Sequence, residues 1–195
     1  MFGGQRSHLV SIFLFTPTRF VRAGTEAEVL SPSSPAATLA IVGGVTGGSS
    51  EAYCTDTICE FLGQGEAGRA WRVAVMNRRG SSGNPPVTAA YGEWEIGPTD
   101  DVRHFMGRVH DAFPAAVAMV GVGYSSGANY LARYLGEDGG EVPLDAAFAV
   151  ANGWNFDRGL DILHAEEPWW ENVLLVGVKA MIERSRALFE VCFTS

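Results

Sequence analysis

The stretch AVAMVGVGYSSGANYL, residues 116–131, decides the fold class of this chain. Its first half is a continuous apolar run, which is typical of a strand that helices cover on both faces. Its second half has helical spacing, so a helix should begin just after Ser125 and end at Gly136 or the Gly139-Gly140 pair. The stretch therefore predicts a buried strand, a tight turn and a helix, in that order.

Three other stretches have the same apolar form. They are TLAIVGG, WRVAVMN and DAAFAVANG, at residues 38–44, 71–77 and 145–153. Apolar residues at helical spacing lie between them, from Cys54 to Leu62 and from Val102 to Val109, and Thr99 or Asp100 can N-cap the second helix. Strands that alternate with helices predict right-handed crossovers and a mostly parallel, doubly wound α/β sheet.

The composition excludes several classes of partner and site. The 195 residues carry a formal net charge of −8, and no basic stripe interrupts that balance, so no nucleic acid is expected as a partner. No apolar run is long enough for a transmembrane segment. The three cysteines lack the C-x-x-C spacing of a zinc site or a redox pair, so they predict no metal site.

The N-terminus allows two interpretations. Arg6 precedes an apolar stretch at residues 9–15, and residues 21–23 resemble a small-residue cleavage site, so residues 1–23 could be a signal peptide. Pro17 and Arg19 argue against that interpretation, and a strand is the alternative that we prefer. We therefore favour a cytoplasmic location.

The pentapeptide GYSSG, residues 123–127, fits the Gly-x-Ser-x-Gly pattern of a nucleophile elbow. Such an elbow needs a strand before the serine and a helix after it, and both are predicted here. Gly123 and Gly127 are the small residues that the cramped turn requires two positions before and after Ser125. Ser125 is therefore the candidate nucleophile, and the alternative is a serine that N-caps a helix after a glycine turn.

A second glycine-rich loop, GGVTGGSS at residues 43–50, also follows a strand and precedes a helix. In a serine hydrolase such a loop supplies one backbone N–H of the oxyanion hole, here from Val45 after Gly44, and Ser126 supplies the other. A phosphate-binding loop is the rival hypothesis. It fails because no Lys-Ser/Thr pair follows and because neither glycine-rich stretch has the G-x-G-x-x-G spacing.

Six blocks of sequence together carry a family resemblance. They are GGVTGGSSEAY, VAVMNRRGSSGNP, TDDVRHF, GVGYSSGANYLARYLGEDG, PLDAAFAVANGWNFDRG and RSRALFE. In order and spacing they resemble the α/β-hydrolase family that includes the bacterial YheT-like esterases and the eukaryotic abhydrolase-4 group. The resemblance implies a serine hydrolase of carboxylesterase or acylglycerol lipase type, which acts on esters or acyl lipids and needs neither a metal nor an organic cofactor.

The same resemblance assigns roles to individual residues. Ser125 matches the nucleophile, and Val45 and Ser126 match the residues whose N–H groups form the oxyanion hole. Residues 77–80 match a loop that the family usually writes Asn-His-Arg-Gly. The acid and the histidine of the triad follow the nucleophile in this family, and neither is expected within this chain, because His164 lies in the segment that resembles the cap.

Two alternatives stay open beside an active hydrolase. One is a catalytically inactive, truncated hydrolase-like domain that binds an acyl ligand or a protein partner. The other is an incomplete gene product whose acid and histidine lie in a missing C-terminal segment. In both cases the sheet would end early, and a partner or the missing segment would cover its exposed edge.

The blocks also divide the chain into three segments. Residues 1–37 form an N-terminal segment, residues 38–153 the N-terminal part of a hydrolase core, and residues 154–195 the start of a helical cap. In the third segment Trp169 and Trp170 either line an acyl entrance or pack their helix on the body of the protein. Packing is the interpretation that we prefer.

Overall fold

The computed structural model describes residues 11–15, 31–45, 47–63, 71–78 and 99–184. Most of the segment considered as a signal peptide lies outside the described residues. The same holds for Arg79 and Gly80 of the family loop, and for residues 185–195.

A five-stranded sheet forms the centre of the described chain. Its strands are β1 (Ser11–Phe15), β2 (Ala37–Val42), β3 (Trp71–Asn77), β4 (Met119–Tyr124) and β5 (Ala146–Val150). They lie in the order β1-β3-β2-β4-β5, and every neighbouring pair is parallel except β1 with β3. The mostly parallel sheet predicted from the sequence is confirmed, and residues 11–15 of the N-terminal apolar stretch form a strand.

Both faces of β2 and β3 are buried, as their continuous apolar runs predict. All six residues of β2 are buried, because successive side chains point to opposite faces and each face carries a cluster of apolar side chains. One cluster joins Leu39, Ile41, Val73 and Val75 to Cys54 and Ile58. The other joins Ala40, Val42, Ala74 and Met76 to Val102, Phe105, Met106, Leu131 and Tyr134.

Three helices cover these faces. Helix α1 (Ala52–Gly63) contributes side chains to the first cluster, and helices α2 (Asp100–Ala112) and α3 (Ser126–Asp138) contribute side chains to the second. Thr99 occupies the predicted N-cap of α2, although its side chain makes no capping hydrogen bond. Helix α3 begins directly after Ser125 and ends before Gly139, which has a φ of 56° and leads into a 3₁₀ turn, Gly139–Glu141.

Two further helices, α4 (Phe156–Glu166) and α5 (Pro168–Arg184), follow β5. The side chain of Asn155 caps α4 by accepting a hydrogen bond from the Arg158 N–H at 3.0 Å. The preferred interpretation of the tryptophan pair was wrong. Trp169 and Trp170 are 55% and 46% exposed, and they stack on each other with ring centroids 4.3 Å apart instead of packing on the body.

Strand β5 has a different environment from the other parallel strands. It pairs with β4 alone among the described strands, and all five of its residues are exposed. Phe148 and Val150 are the large apolar side chains on this strand. Within the described residues, helices therefore cover both faces of β2 but leave the side chains of β5 exposed.

The edge of the sheet where the parallel strands begin lies opposite Ser125. Fully buried Arg72 donates from one terminal nitrogen to the carbonyl oxygens of Ser34 and Ala36, each at 2.8 Å, and its guanidinium lies 4.1 Å from the centroid of the Phe113 ring. Burial lowers the pKa of this arginine. A cavity of about 320 Å³ adjoins Phe113 at this edge.

Candidate active site

Ser125 lies at the junction of β4 and α3 in a backbone conformation that serine rarely adopts. Its φ is 52° and its ψ is −120°, outside the helical and extended regions. Such a conformation costs on the order of 1–3 kcal/mol and persists only where the surrounding structure imposes it. The backbone N–H of Ser125 donates to the carbonyl oxygen of Val150 at 2.9 Å, which ties the turn to the end of β5.

The two glycines of the pentapeptide make this turn feasible. A Cβ on Gly123 would lie 2.6 Å from the Cα of Ala128 and from the carbonyl oxygen of Gly127. A Cβ on Gly127 would lie 2.3 Å from the carbonyl oxygens of Val42 and Gly43. Real Cβ atoms do not approach other atoms so closely, so the strand, the helix and the loop after β2 can meet here only without side chains at these positions.

The capping alternative for Ser125 finds no support in the geometry. The residue occupies the N-cap position of α3, but its side chain makes no capping hydrogen bond. Its carbonyl oxygen accepts from the N–H groups of Ala128 and Asn129 at 3.0 and 3.2 Å. Ser126 is the first residue of α3, so its N–H belongs to the helix end that has no intrahelical acceptor.

The loop after β2 meets the same turn. A Cβ built on Gly44 would lie 3.5 Å from the Cβ of Ser125 and 3.7 Å from the carbonyl oxygen of Tyr124. Val45 follows Gly44 directly and Ser126 follows Ser125 directly, so the two residues predicted for the oxyanion hole adjoin this contact from different elements. The structure thus brings the predicted loop and the predicted nucleophile together.

Side chains from α1 and from the end of β3 hold this loop in place by hydrogen bonds. The sequence alone predicts no role for these side chains. The hydroxyl of Tyr53 accepts from the Gly44 N–H at 3.0 Å. Asn77 accepts from the Ser49 N–H at 2.8 Å through Oδ1 and donates to Ser49 Oγ at 3.2 Å through Nδ2. Arg78 donates to the carbonyl oxygens of Gly44 and Val45 at 2.7 and 2.6 Å.

The sequence contains a partial signal for these contacts. Asn77 and Arg78 stand directly after a buried strand, where side chains reach the edge at which the other parallel strands also end. Tyr53 has no comparable signal, because its place in the first turn of α1 reveals its role only once the loop is folded.

Burial sets the protonation of two groups beside the loop. It raises the pKa of the Tyr53 hydroxyl, and it raises the pKa of the Cys54 thiol to about 11. Both groups are therefore neutral near pH 7. Tyr53 can accept from the Gly44 N–H without carrying a charge, and Cys54 is not a thiolate nucleophile.

Comparisons with known proteins agree with this fold. No family model matches the sequence. The chain is 28% identical over 176 residues to embryogenesis-associated protein EMB8 of Picea glauca, covering 86% of this chain and 36% of that protein. It is 32% identical over 161 residues to medium-chain fatty acid ethyl ester synthase/esterase 2 of Saccharomyces cerevisiae, covering 80% and 32%. It is 36% identical over 83 residues to YheT of Escherichia coli, covering 43% and 24%.

Among solved structures, a thermostable carboxyl esterase from Bacillus coagulans in complex with glycerol has the same fold. Its TM-score is 0.50 at 16% identity, over 86% of this chain and 46% of that one. The chain belongs to the α/β-hydrolase superfamily. It spans about a third of the length of the first curated relatives that it matches, 36% and 32%.

In an α/β-hydrolase a histidine, oriented by an acid, activates the serine. His110 lines the cavity at the opposite edge of the sheet, and His164 is 80% exposed with its Nδ1 2.9 Å from Oε2 of Glu171. Together with His104 on α2 these are the histidines of the described ranges, and no hydrogen bond there joins a histidine to Ser125. The described residues of this α/β-hydrolase thus bring Ser125 and the loop after β2 together, and none of their histidines is hydrogen-bonded to the serine.

No group of three or more His, Cys, Asp or Glu residues in the described ranges could hold a metal ion. No helix in that part of the chain is both long and apolar enough to cross a membrane.

Proposed function

We propose that this chain carries the nucleophile and the oxyanion hole of a serine ester hydrolase. The observation that carries the proposal is the backbone of Ser125, held at φ 52° and ψ −120° between a parallel strand and a helix, with Gly44 in contact distance. An α/β-hydrolase nucleophile stands on a strained turn of this kind, which holds its Oγ clear of the strand and the helix. A serine that merely capped the helix would direct its side chain to the helix N–H groups instead.

The proposed reaction has two halves. Oγ of Ser125 bonds to the carbonyl carbon of an ester while a general base takes its proton, and the N–H groups of Val45 and Ser126 stabilise the oxyanion. The carbon–oxygen bond to the alcohol then breaks, and the base gives its proton to the departing alcohol. Water attacks the acyl-enzyme in the same way and releases the carboxylic acid. We expect the general base from residues outside the described ranges.

The substrate class that we propose is an ester of a fatty acid. Two observations support it. One of the relatives is named as a synthase and esterase of medium-chain fatty acid ethyl esters. The other observation is structural. The Val150 carbonyl oxygen accepts a hydrogen bond from the Ser125 N–H, and shortly after Val150 the chain exposes the apolar side chains of Trp154, Phe156 and Leu160, which an acyl chain could contact. With α4 and α5 these residues form the proposed start of a cap.

The experiment is ester hydrolysis by the full-length protein with p-nitrophenyl butyrate and p-nitrophenyl decanoate. We expect Ser125→Ala to lower kcat by about 10⁴-fold or more, because loss of the nucleophile leaves only residual catalysis. Ser33→Ala is the matched control, since Ser33 is exposed and precedes β2 at the opposite edge of the sheet. Equal hydrolysis by Ser125→Ala and wild type would exclude Ser125 as the nucleophile. No hydrolysis of either ester by the wild type would favour an inactive domain.

A further inference from the structure

The side chain of Arg78 contacts the loop after β2 more closely than any other cation in the described residues. It is half-buried just beyond β3, and one terminal nitrogen lies 2.7 Å from the Gly44 carbonyl oxygen and 2.6 Å from the Val45 carbonyl oxygen. Its guanidinium also lies 5.2 Å from the centroid of the Tyr130 ring on α3. Arg78 therefore contacts the loop and the helix that follows Ser125 at the same time.

The Gly44 carbonyl determines where the next N–H points. In a trans peptide the C=O of one residue and the N–H of the next point in opposite directions, and the described chain has no cis peptide. The carbonyl oxygen of Gly44 accepts from Arg78 and, at 3.1 Å, from the Gly47 N–H. These two bonds fix the plane of the Gly44–Val45 peptide and with it the direction of the Val45 N–H.

The other N–H of this part of the loop is already occupied. The Gly44 N–H donates to the Tyr53 hydroxyl, so it is not available to an oxyanion. Within the described residues no group accepts from the Val45 N–H. The loop is thus held by Tyr53 on one side of Gly44 and by Arg78 on the other, and among the described residues the Val45 N–H keeps no acceptor of its own.

We propose that Arg78 is a positioning residue for the oxyanion hole, and this inference rests on the proposed function. Arg78 acts through the Gly44–Val45 peptide and does not touch the substrate. By holding two carbonyl oxygens it orients the Val45 N–H before the oxyanion forms, so no reorganisation is needed during the reaction. One terminal nitrogen of Arg78 makes both hydrogen bonds, while the planar guanidinium lies near the Tyr130 ring, a combination that lysine cannot reproduce.

The test compares Arg78→Met and Arg78→Lys in the full-length protein. We expect Arg78→Met to lower kcat by about tenfold to a hundredfold, because a misdirected oxyanion donor removes transition-state stabilisation, while KM stays within about twofold. Lysine should restore part of kcat, since its ammonium can donate to the carbonyls but lacks the planar guanidinium that lies near the Tyr130 ring. Arg108→Met is the matched control, because Arg108 is an exposed arginine on α2, and it should match the wild type.

Chemical rescue separates positioning from folding. Adding methylguanidinium to Arg78→Ala should raise kcat at least fivefold without a matching change in melting temperature. A folded Arg78→Met variant with the kcat of the wild type would overturn the inference, as would an Arg78→Ala variant that methylguanidinium does not rescue. If Ser125→Ala retains hydrolysis, the proposed function fails first. If Ser125→Ala is inactive and the Arg78 variants are fully active, only the positioning role fails.

Discussion

Single atoms decide the geometry around Ser125. A Cβ at Gly127 would lie 2.3 Å from two backbone carbonyl oxygens, while at Gly136, on the same helix, nothing lies within 4 Å. The elbow therefore depends on one glycine of α3 and not on the other. The backbone strain at Ser125 is possible because β4, α3 and the loop after β2 close around it at these glycine positions.

Alanine at the two glycines should give opposite results. Gly127→Ala forces α3 away from the end of β2, so we expect it to lower the free energy of unfolding by about 1–3 kcal/mol. Gly136→Ala is the matched control and should raise the free energy of unfolding by up to about 1 kcal/mol, because alanine favours the helix. Urea unfolding measures both. A Gly127→Ala variant as stable as Gly136→Ala would contradict the close approach.

The residues of the site differ in how far sequence could identify them. Ser125, Gly123 and Gly127 form a local pattern, so their spacing alone predicts the turn. Tyr53 and Arg78 contact Gly44 from 9 and 34 positions away, and only the folded sheet brings the second of these to the loop. Their roles depend on non-local contacts that no spacing in the sequence encodes.

At the scale of elements, a cluster of charges ties the end of α3 to the start of α2. Arg103 donates to the two carboxylate oxygens of Asp138 at 2.7 and 2.6 Å and to Glu137 at 3.2 Å. Thr99 also donates to Glu137. The helix that carries the elbow is thus anchored at its far end as well as by its core residues.

These contacts predict a pH-dependent contribution to stability. The Thr99 hydroxyl, and then Arg103, lower the pKa of Glu137, and Arg103 lowers the pKa of Asp138. Because a carboxyl whose pKa is lowered by folding stabilises the fold only when ionised, the contribution is present above the unfolded pKa of about 4 and is lost as pH falls through the folded values.

Arg103→Met should therefore have a lower melting temperature than the wild type at pH 7, and the difference should be smaller at pH 3, below the unfolded carboxyl pKa of about 4. The effect should be modest, since the Arg103 side chain is 38% exposed. Thermal melts at both pH values measure it, with Arg108→Met as the control on the same helix. A difference that is unchanged at acidic pH would mean that Arg103 acts through packing alone.

The elements themselves were predictable wherever the apolar pattern is long. Strands β2 to β5 and helices α1 to α3 all appear where the sequence predicts them, although β5 lacks the burial that its apolar run predicts, because all five of its residues are exposed. Helix α5 begins at Pro168, because proline suits the first helical turn, where a backbone N–H has no intrahelical acceptor. The antiparallel pairing of β1 with β3 could not be predicted, because pairing depends on distant residues.

On the scale of the whole molecule, different groups lie at the two ends of the parallel strands. The ends of β2, β3 and β4 meet at Ser125, the Gly44 loop and Arg78, whereas Arg72 and the cavity lie at the opposite edge. This separation follows from parallel pairing, which places the C-terminal ends of the strands together. The sequence predicted this arrangement once the strands were assigned, but not the exposed apolar side chains of β5, α4 and α5.

Covalent labelling tests most directly whether Ser125 is an activated nucleophile. The full-length protein is treated with a fluorophosphonate, and the adduct is located by peptide mass spectrometry. We predict one adduct on Ser125, absent from Ser125→Ala, retained in Ser33→Ala and lost when the protein is unfolded in urea before treatment. A folded wild-type protein that gains no adduct at Ser125, or an adduct that persists in Ser125→Ala, would contradict the account.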